Sequence, residues 1–335
     1  MNRHHFSGIL LLFLSVISLA CLYGCDASQP NTKAADATEK LVISTYPGDH
    51  SALLWIAEKQ GYFSARGVDV RLEIEESGLA SLRQVFAGKA GLATVSEFVF
   101  VSNISEHPEL RVLSAIGQTR DVRLVARKDH DITEISDLRN KRIGVVRSTV
   151  ADYFFHLFLM FHRIPRQEIH IVDLTPSEQI KAIAKGEIDA AVTWANFAKE
   201  MENTLGDKMI SWPAQSEQDY YWLLVGTNST LERQSSEIKK ILSALDAADD
   251  FLHNHRDEAL RILVSKLGPH HIPEVWENSS FDLSLSRPFV LAMEAELRWM
   301  KSSQGVQEFE MPDLLDFIHF GVLQSVRPEK VQMLH

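Results

Sequence analysis

Apolar and polar positions along this chain fall into two rhythms that take turns. The segment "LVISTYPG" is a β-branched run that breaks into small polar residues, and "ALLWIAEKQG" (Ala52 to Gly61) then carries apolar residues at helical spacing. Next come "VDVRLEIEESG", an alternating strand entering a helix, and "FAGKAGLATVSEFVF", in which a helical run ends at Gly88 and a short apolar strand (Gly91 to Val95) opens into a polar loop. The same phrases recur later as "KRIGVVRST", "YFFHLFLMFHRI" (Tyr153 to Ile164), "EIHIVDLTPSEQ" and "IAKGEIDAAVTWANF", with Gly186 in the place of Gly88 and Asp189 to Thr193 as the strand. Glycine suits both positions, since a left-handed helix cap penalises a Cβ. The order strand, helix, strand, helix, strand therefore occurs twice. It predicts two α/β domains, each with a mostly parallel sheet and right-handed crossovers. In such sheets a ligand sits beyond the carboxyl ends of the strands, where loops lead into helix starts.

With 335 residues, 45% hydrophobic and 24% charged, the chain can bury one or two ordinary cores. A formal net charge of -11 and the lack of any basic run argue against nucleic acid as a partner. The N-terminal "MNRHHFSGILLLFLSVISLACLYGC" places Arg3 before an apolar run that is short for a membrane span, the layout of a secretory signal or of a plain anchor helix. "LYGC" resembles the bacterial lipobox. That resemblance implies a signal peptide over residues 1–24, lipidation of Cys25, and a polar tether over 25–40 that extends up to about 50 Å. Asp26 resembles an inner-membrane retention signal, which implies the periplasmic face of the inner membrane. Cleavage before Cys25 would leave no other cysteine in the mature chain.

Five further stretches, "WIAEKQGYFSARGVDVRL", "SLRQVFAGKAGLATVS", "ISDLRNKRIGVVRSTVADYF", "QIKAIAKGEIDAAVTWANFAKEM" and "LAMEAELRWM", follow the order found in a known family. On them the chain resembles the periplasmic substrate-binding proteins of ABC importers, in the branch that includes nitrate, sulfonate, taurine and thiamine-pyrimidine binders. The resemblance implies the two-lobed (type II) α/β periplasmic binding protein fold. Lobe 1 would comprise residues 41–124 and 226–335 and lobe 2 residues 125–225, with hinge crossings at Val125 to Arg127 and Tyr221 to Val225. The apolar periodicity of "IKKILSALDAADDFL" and "FVLAMEAELRWM" fits helices that pack back on lobe 1.

The strand ends supply the candidate ligand site. After the first strand, Gly48 permits close backbone approach beside Tyr46 and Asp49, with Tyr46 either facing a ligand or buried in an ordinary turn. Ser77 and Gly78 start a helix whose N–H groups suit an anion. Ser96 and Glu97 occupy the ligand-facing position that the resemblance implies. In the second copy Arg147, Ser148 and Thr149 precede a helix. Thr149 and Asp152 have capping-box spacing, and Arg147 is either a cleft cation or a solvated side chain. "TPSE" (Thr175 to Glu178) reads as a structural capping box with Pro176 at the first helical position. Trp194 and Asn196 stand where the family often has tryptophan and an aspartate, so Asn196 departs from the family's acid. Tyr220, Tyr221 and Trp222 bring aromatic faces to the return crossing, and at least one of them reads as core.

Catalysis is not expected. HExxH, GxSxG and phosphate-loop motifs are missing, and the pairs His253/His255 and His270/His271 do not share a helix face. The histidines read mostly as surface residues, with no cofactor or metal. A small solute and the permease of an importer are the expected partners, a membrane kinase or cyclase read by a sensory lipoprotein the alternative. An enzyme on the same fold is disfavoured, because the pyrimidine-synthesis relatives carry a cysteine-rich motif. Arg147 and the helix starts favour an anionic group, Glu97 and Asp49 a donor. A zwitterion, or a neutral heteroaromatic ring stacked on Trp194, meets both demands.

Overall fold

A computed structural model of the protein describes residues 40–215, 218–304 and 311–333. The expected signal peptide, Cys25, Asp26 and the expected tether up to residue 39 lie outside the described residues.

The first sheet takes β1 (Leu41–Thr45), β2 (Val70–Ile74), β3 (Leu92–Ser96), β4 (Leu110–Thr119) and β10 (Tyr220–Thr227) in the order β2-β1-β3-β10-β4. The second takes β5 (Val122–Arg127), β6 (Arg142–Val145), β7 (His170–Asp173), β8 (Ala190–Trp194) and β9 (Met209–Pro213) in the order β7-β6-β8-β5-β9. The repeat seen in the sequence is thus a repeat of topology. In each sheet three parallel strands are followed by one antiparallel strand, β10 or β5, which is the strand entered on crossing from the other lobe. Every residue of β3 and β8 is buried, as expected of parallel strands covered on both faces.

Helices α1 (Ala52–Lys59), α2 (Tyr62–Ala65), α3 (Gly78–Phe86) and α4 (Glu97–Asn103) flank the first sheet, and α5 (Val150–Phe161), α6 (Pro176–Lys185) and α7 (Ala195–Leu205) the second. The C-terminal part adds α8 (Asn228–Arg233), α9 (Ser235–Asn254), α10 (Arg256–Leu267), α11 (Pro273–Glu277), α12 (Arg287–Gln304) and α13 (Phe320–Val326). It returns to lobe 1, where Lys240 Nζ donates to the Gly67 carbonyl and Lys266 lies over the Trp55 ring, 5.2 Å from its centroid. This cover explains why α1 is apolar all round its first six residues, Ala52 to Ala57, all of them buried. Local signals act as expected. Gly88 and Gly186 adopt φ of 67° and 73°, and Thr175 with Glu178 forms a complete capping box ahead of α6.

Two boundaries differ from expectation. The first crossing lies at Arg120 and Asp121, because Val125 to Arg127 pair with β8 and β9 inside the second sheet. The return lies ahead of Tyr220, because Tyr221 to Val225 pair with β3 and β4 inside the first. Gln215 binds the two crossings side by side. Its Oε1 accepts from the Asp121 and Val122 N–H groups at 3.1 and 3.3 Å, and its Nε2 donates to the Thr119 carbonyl at 3.0 Å.

Candidate functional site

The carboxyl ends of both sheets face each other, and the loops beyond them meet. Tyr46, after β1, donates its hydroxyl to Asn196 Oδ1 at the start of α7, a bond from lobe 1 to lobe 2 between two buried side chains. Asn196 Nδ2 donates in turn to His270 Nδ1 at 3.3 Å. Rings from three segments of the chain gather round Tyr46, with His50 stacked at 5.0 Å and Trp194, Phe197 and Trp222 at 5.9 to 6.1 Å. Trp222 is fixed by its Nε1, which donates to Ser51 Oγ at 3.0 Å. Gly78 admits that ring, for a Cβ there would stand 3.0 Å from Trp222 Cη2 and 3.1 Å from the Val95 Cα.

The cluster is filled by its own side chains. Among Tyr46, Gly48, Asp49, His50, Asp121 and Asn196 the remaining void is about 10 Å³, room for about one water. A roomier space elsewhere also takes its walls from both lobes. A cavity of about 470 Å³ opens between α4 and α12 of lobe 1 and the β6–α5 turn of lobe 2, with Phe98 and Trp299 facing Arg147, Ser148, Asp152 and Arg166.

Several expected donors are already engaged. Ser77 and Ser96 spend their hydroxyls as helix caps, accepting from the Ala80 and Val99 N–H groups. Asp49 is held by His271 Nδ1 at 2.6 Å and by the Ile272 N–H at 3.2 Å. The Arg147 N–H donates to Asp173 and the Ser148 N–H to Asp152. Ser148 meets this geometry with φ of 58°, a left-handed conformation that costs a non-glycine residue energy. The capping box expected of Thr149 and Asp152 does not form. Thr149 instead donates to the Val146 carbonyl, which turns its oxygen away from the helix start. The Arg147 guanidinium is 48% exposed and pairs with Asp152 at 3.0 Å. At such exposure the pair contributes little.

Glu97 is fully buried. Its Oε1 accepts the Tyr221 N–H at 2.9 Å, its Oε2 has no partner, and burial raises its pKa. Five groups that sequence reasoning missed complete the picture. His50 is enclosed, not exposed; its ring nitrogens lack hydrogen-bond partners, with Nδ1 4.0 Å from Asp121 Oδ2, and burial depresses its pKa to about 3. Asp121 accepts from the Tyr220 hydroxyl at 2.8 Å and is pushed by burial up to about 7. His271 closes on Asp49, and Glu296 and Trp299 of α12 stand behind Glu97 and beside the cavity. A signal for Glu296 existed, as it lies three residues after Met293 and seven after Phe289 on the apolar face of its helix. Among the described residues no three His, Cys, Asp or Glu side chains gather as a metal site.

Comparison with known proteins agrees with this architecture. The model of a family described as NMT1/THI5 like matches residues 49–259. Curated binding proteins of Brucella abortus and Brucella suis are 19% identical over 229 residues, which is 67% of this chain and 70% of each relative. The alkanesulfonate-binding protein SsuA from Xanthomonas axonopodis pv. citri, solved bound to MOPS, matches with a TM-score of 0.68 at 15% identity over 84% of this chain and 98% of its own. The desulfurization enzyme DSZB matches with a TM-score of 0.62 at 14% identity, covering 87% of this chain and 99% of that one. At these identities the likeness shows a fold, one that binding proteins share with an enzyme.

Proposed function

Because the chain belongs to the NMT1/THI5-like family, we propose that it is an extracytoplasmic solute-binding protein that captures a small organic or inorganic solute between its lobes and delivers it to an ABC importer. The observation that carries this is the meeting of side chains from both sheets across one cleft, with Tyr46 of lobe 1 bonded to Asn196 of lobe 2, and a cavity of about 470 Å³ that also takes its walls from both lobes. Two crossings, from β4 to β5 and from β9 to β10, let the lobes part and close as hinged bodies. The lipobox-like Cys25 tethers the protein to the periplasmic face of the inner membrane, where a permease would receive the solute.

Capture fits the cleft better than catalysis. His50, the most enclosed imidazole, has its pKa near 3 and lacks hydrogen-bond partners, which unsuits it to general base work at neutral pH. A thermal-shift screen of the purified protein across sulfonates, nitrate, amino acids and pyrimidines tests the reading. A ligand at a hundred times its dissociation constant adds about 2.7 kcal/mol of stability, and X-ray scattering then reports a smaller radius of gyration. Turnover of a hit instead of reversible binding would favour the enzyme.

A further inference from the structure

Behind the cavity wall the protein buries two acids with little to satisfy them. Glu296 of α12 is 0% exposed, and neither of its carboxylate oxygens has a hydrogen-bond partner. Glu97, also 0% exposed, leaves its Oε2 without one. The charge that bears on Glu296 is that of Glu97, a like charge, and burial together with this repulsion raises its proton affinity. Buried acceptors of this kind cost stability unless something donates to them.

Two aromatic rings, Phe98 and Trp299, line this end of the cavity, and a third, Tyr153, packs on both. Phe98 follows Glu97 directly and Trp299 lies one turn beyond Glu296, while Tyr153 reaches across from α5 of lobe 2. Their centroids are 5.2 to 5.7 Å apart, and the phenol of Tyr153 feels both carboxylates. The Trp299 Nε1 is buried and without a partner. Because Tyr153 sits on the other lobe, parting the lobes takes that ring off the other two and opens a way toward the acids.

We propose that the inner end of this cavity receives the protonated primary amine of the captured solute, with Glu97 and Glu296 as its acceptors and Phe98, Tyr153 and Trp299 around it. This rests on the reading of the interlobe cleft as the solute site. The three orphan oxygens match in number the three N–H donors of an ammonium group, which has no acceptor. The ammonium charge offsets the repulsion between the two acids, and the ring faces attract a cation. The free indole N–H asks further for an acceptor atom near the amine. The expected anion donors at Arg147 and Ser148, by contrast, are held by Asp173 and Asp152.

Calorimetry and thermal shift on the full chain test the assignment with matched pairs such as 2-phenylethylamine against 2-phenylethanol and butylamine against butanol, with amine-free sulfonates alongside. Primary amines should bind at least thirtyfold more tightly than their alcohols, and N-trimethylation should weaken them. Glu296→Gln keeps the shape and removes the charge. It should melt no lower than the parent without ligand, yet lose the amine preference. If sulfonates bind the parent and Glu296→Gln alike while amines do not, the ammonium site is overturned and solute capture stands. If neither class binds, both readings fall.

Discussion

The bond from Tyr46 to Asn196 offers the most direct test of whether the lobes meet in solution as described. Tyr46→Phe keeps the ring among His50, Trp194 and Trp222 and removes only the hydroxyl, so its cost reports the hydrogen bond. A net bond contributes about 0.5 to 1.5 kcal/mol, and a buried acceptor left unsatisfied about 1 to 3. Asn196 Oδ1 is such an acceptor in a side chain that is 3% exposed, and the expected loss is therefore about 2 kcal/mol. Asn196→Ala strands the Tyr46 hydroxyl and also gives up the contact to His270, and should cost somewhat more. In the double variant the shared bond is counted once, giving a coupling of about 1 kcal/mol. Urea unfolding followed by tryptophan fluorescence measures all four proteins. Scattering should show Tyr46→Phe more expanded than the parent. Effects that add to within about 0.3 kcal/mol would mean the two groups are not bonded in solution, and the closed cleft would lose its main support.

Other outcomes follow from the same contacts. Gly78→Ala drives a methyl into Trp222 and the Val95 backbone and should cost about 1 to 3 kcal/mol in urea unfolding. Gln215→Ala leaves the Asp121 and Val122 N–H groups without their acceptor and should cost a similar amount while loosening the hinge, seen as faster hydrogen exchange at 119–122. Asp121 has a folded pKa near 7 against an ordinary 3.8, so its stabilising effect is full below about pH 4 and is lost as pH rises through 7. His50, depressed from 6.5 to about 3, acts oppositely and loses stability as pH falls below 6.5. Above pH 6.5 the His50 slope is spent, while Asp121 and the buried Glu97 and Glu296, whose proton affinities burial also raises, act in the same direction, so melting temperature should fall from pH 6.5 to 8; Asp121→Asn should lessen that fall and leave the part owed to the two glutamates. Cys25→Ala should abolish incorporation of a radiolabelled lipid precursor in cells.

The fold was largely legible because its signals are local. A left-handed glycine ends a helix wherever it occurs, and the Thr175 box or the Ser77 cap needs only its own turn. Crossings are a different matter. In "VLSAIGQTRDVRLVAR" the polar break from Gly117 to Asp121 separates two apolar runs, but nothing in the pattern tells which sheet the second run will join. For the site, the rule that ligands sit at strand ends picked out Tyr46, Glu97, Trp194 and Asn196, all of which meet at the cleft or its wall. It could not reach Glu296, Trp299 or His271, which come from the C-terminal helices and arrive only through tertiary packing. Nor could it foresee that serine hydroxyls and loop amides would be consumed by caps and neighbouring carboxylates.

The second sheet is written in one uninterrupted stretch of chain, from β5 to β9, whereas the first must wait for β10. A polypeptide threaded N-terminus first out of the ribosome or a translocation pore therefore completes lobe 2 while lobe 1 is still a pair of fragments. Until β10 arrives, β3 and β4 each carry an open edge of unpaired amides and carbonyls that invites pairing with another chain. Docking of "YYWLLVGT" between them closes both edges, so the chain is expected to be most open to aggregation or to a chaperone before that strand arrives. Substitutions in that strand should depress yield in the cell out of proportion to their effect on the finished molecule.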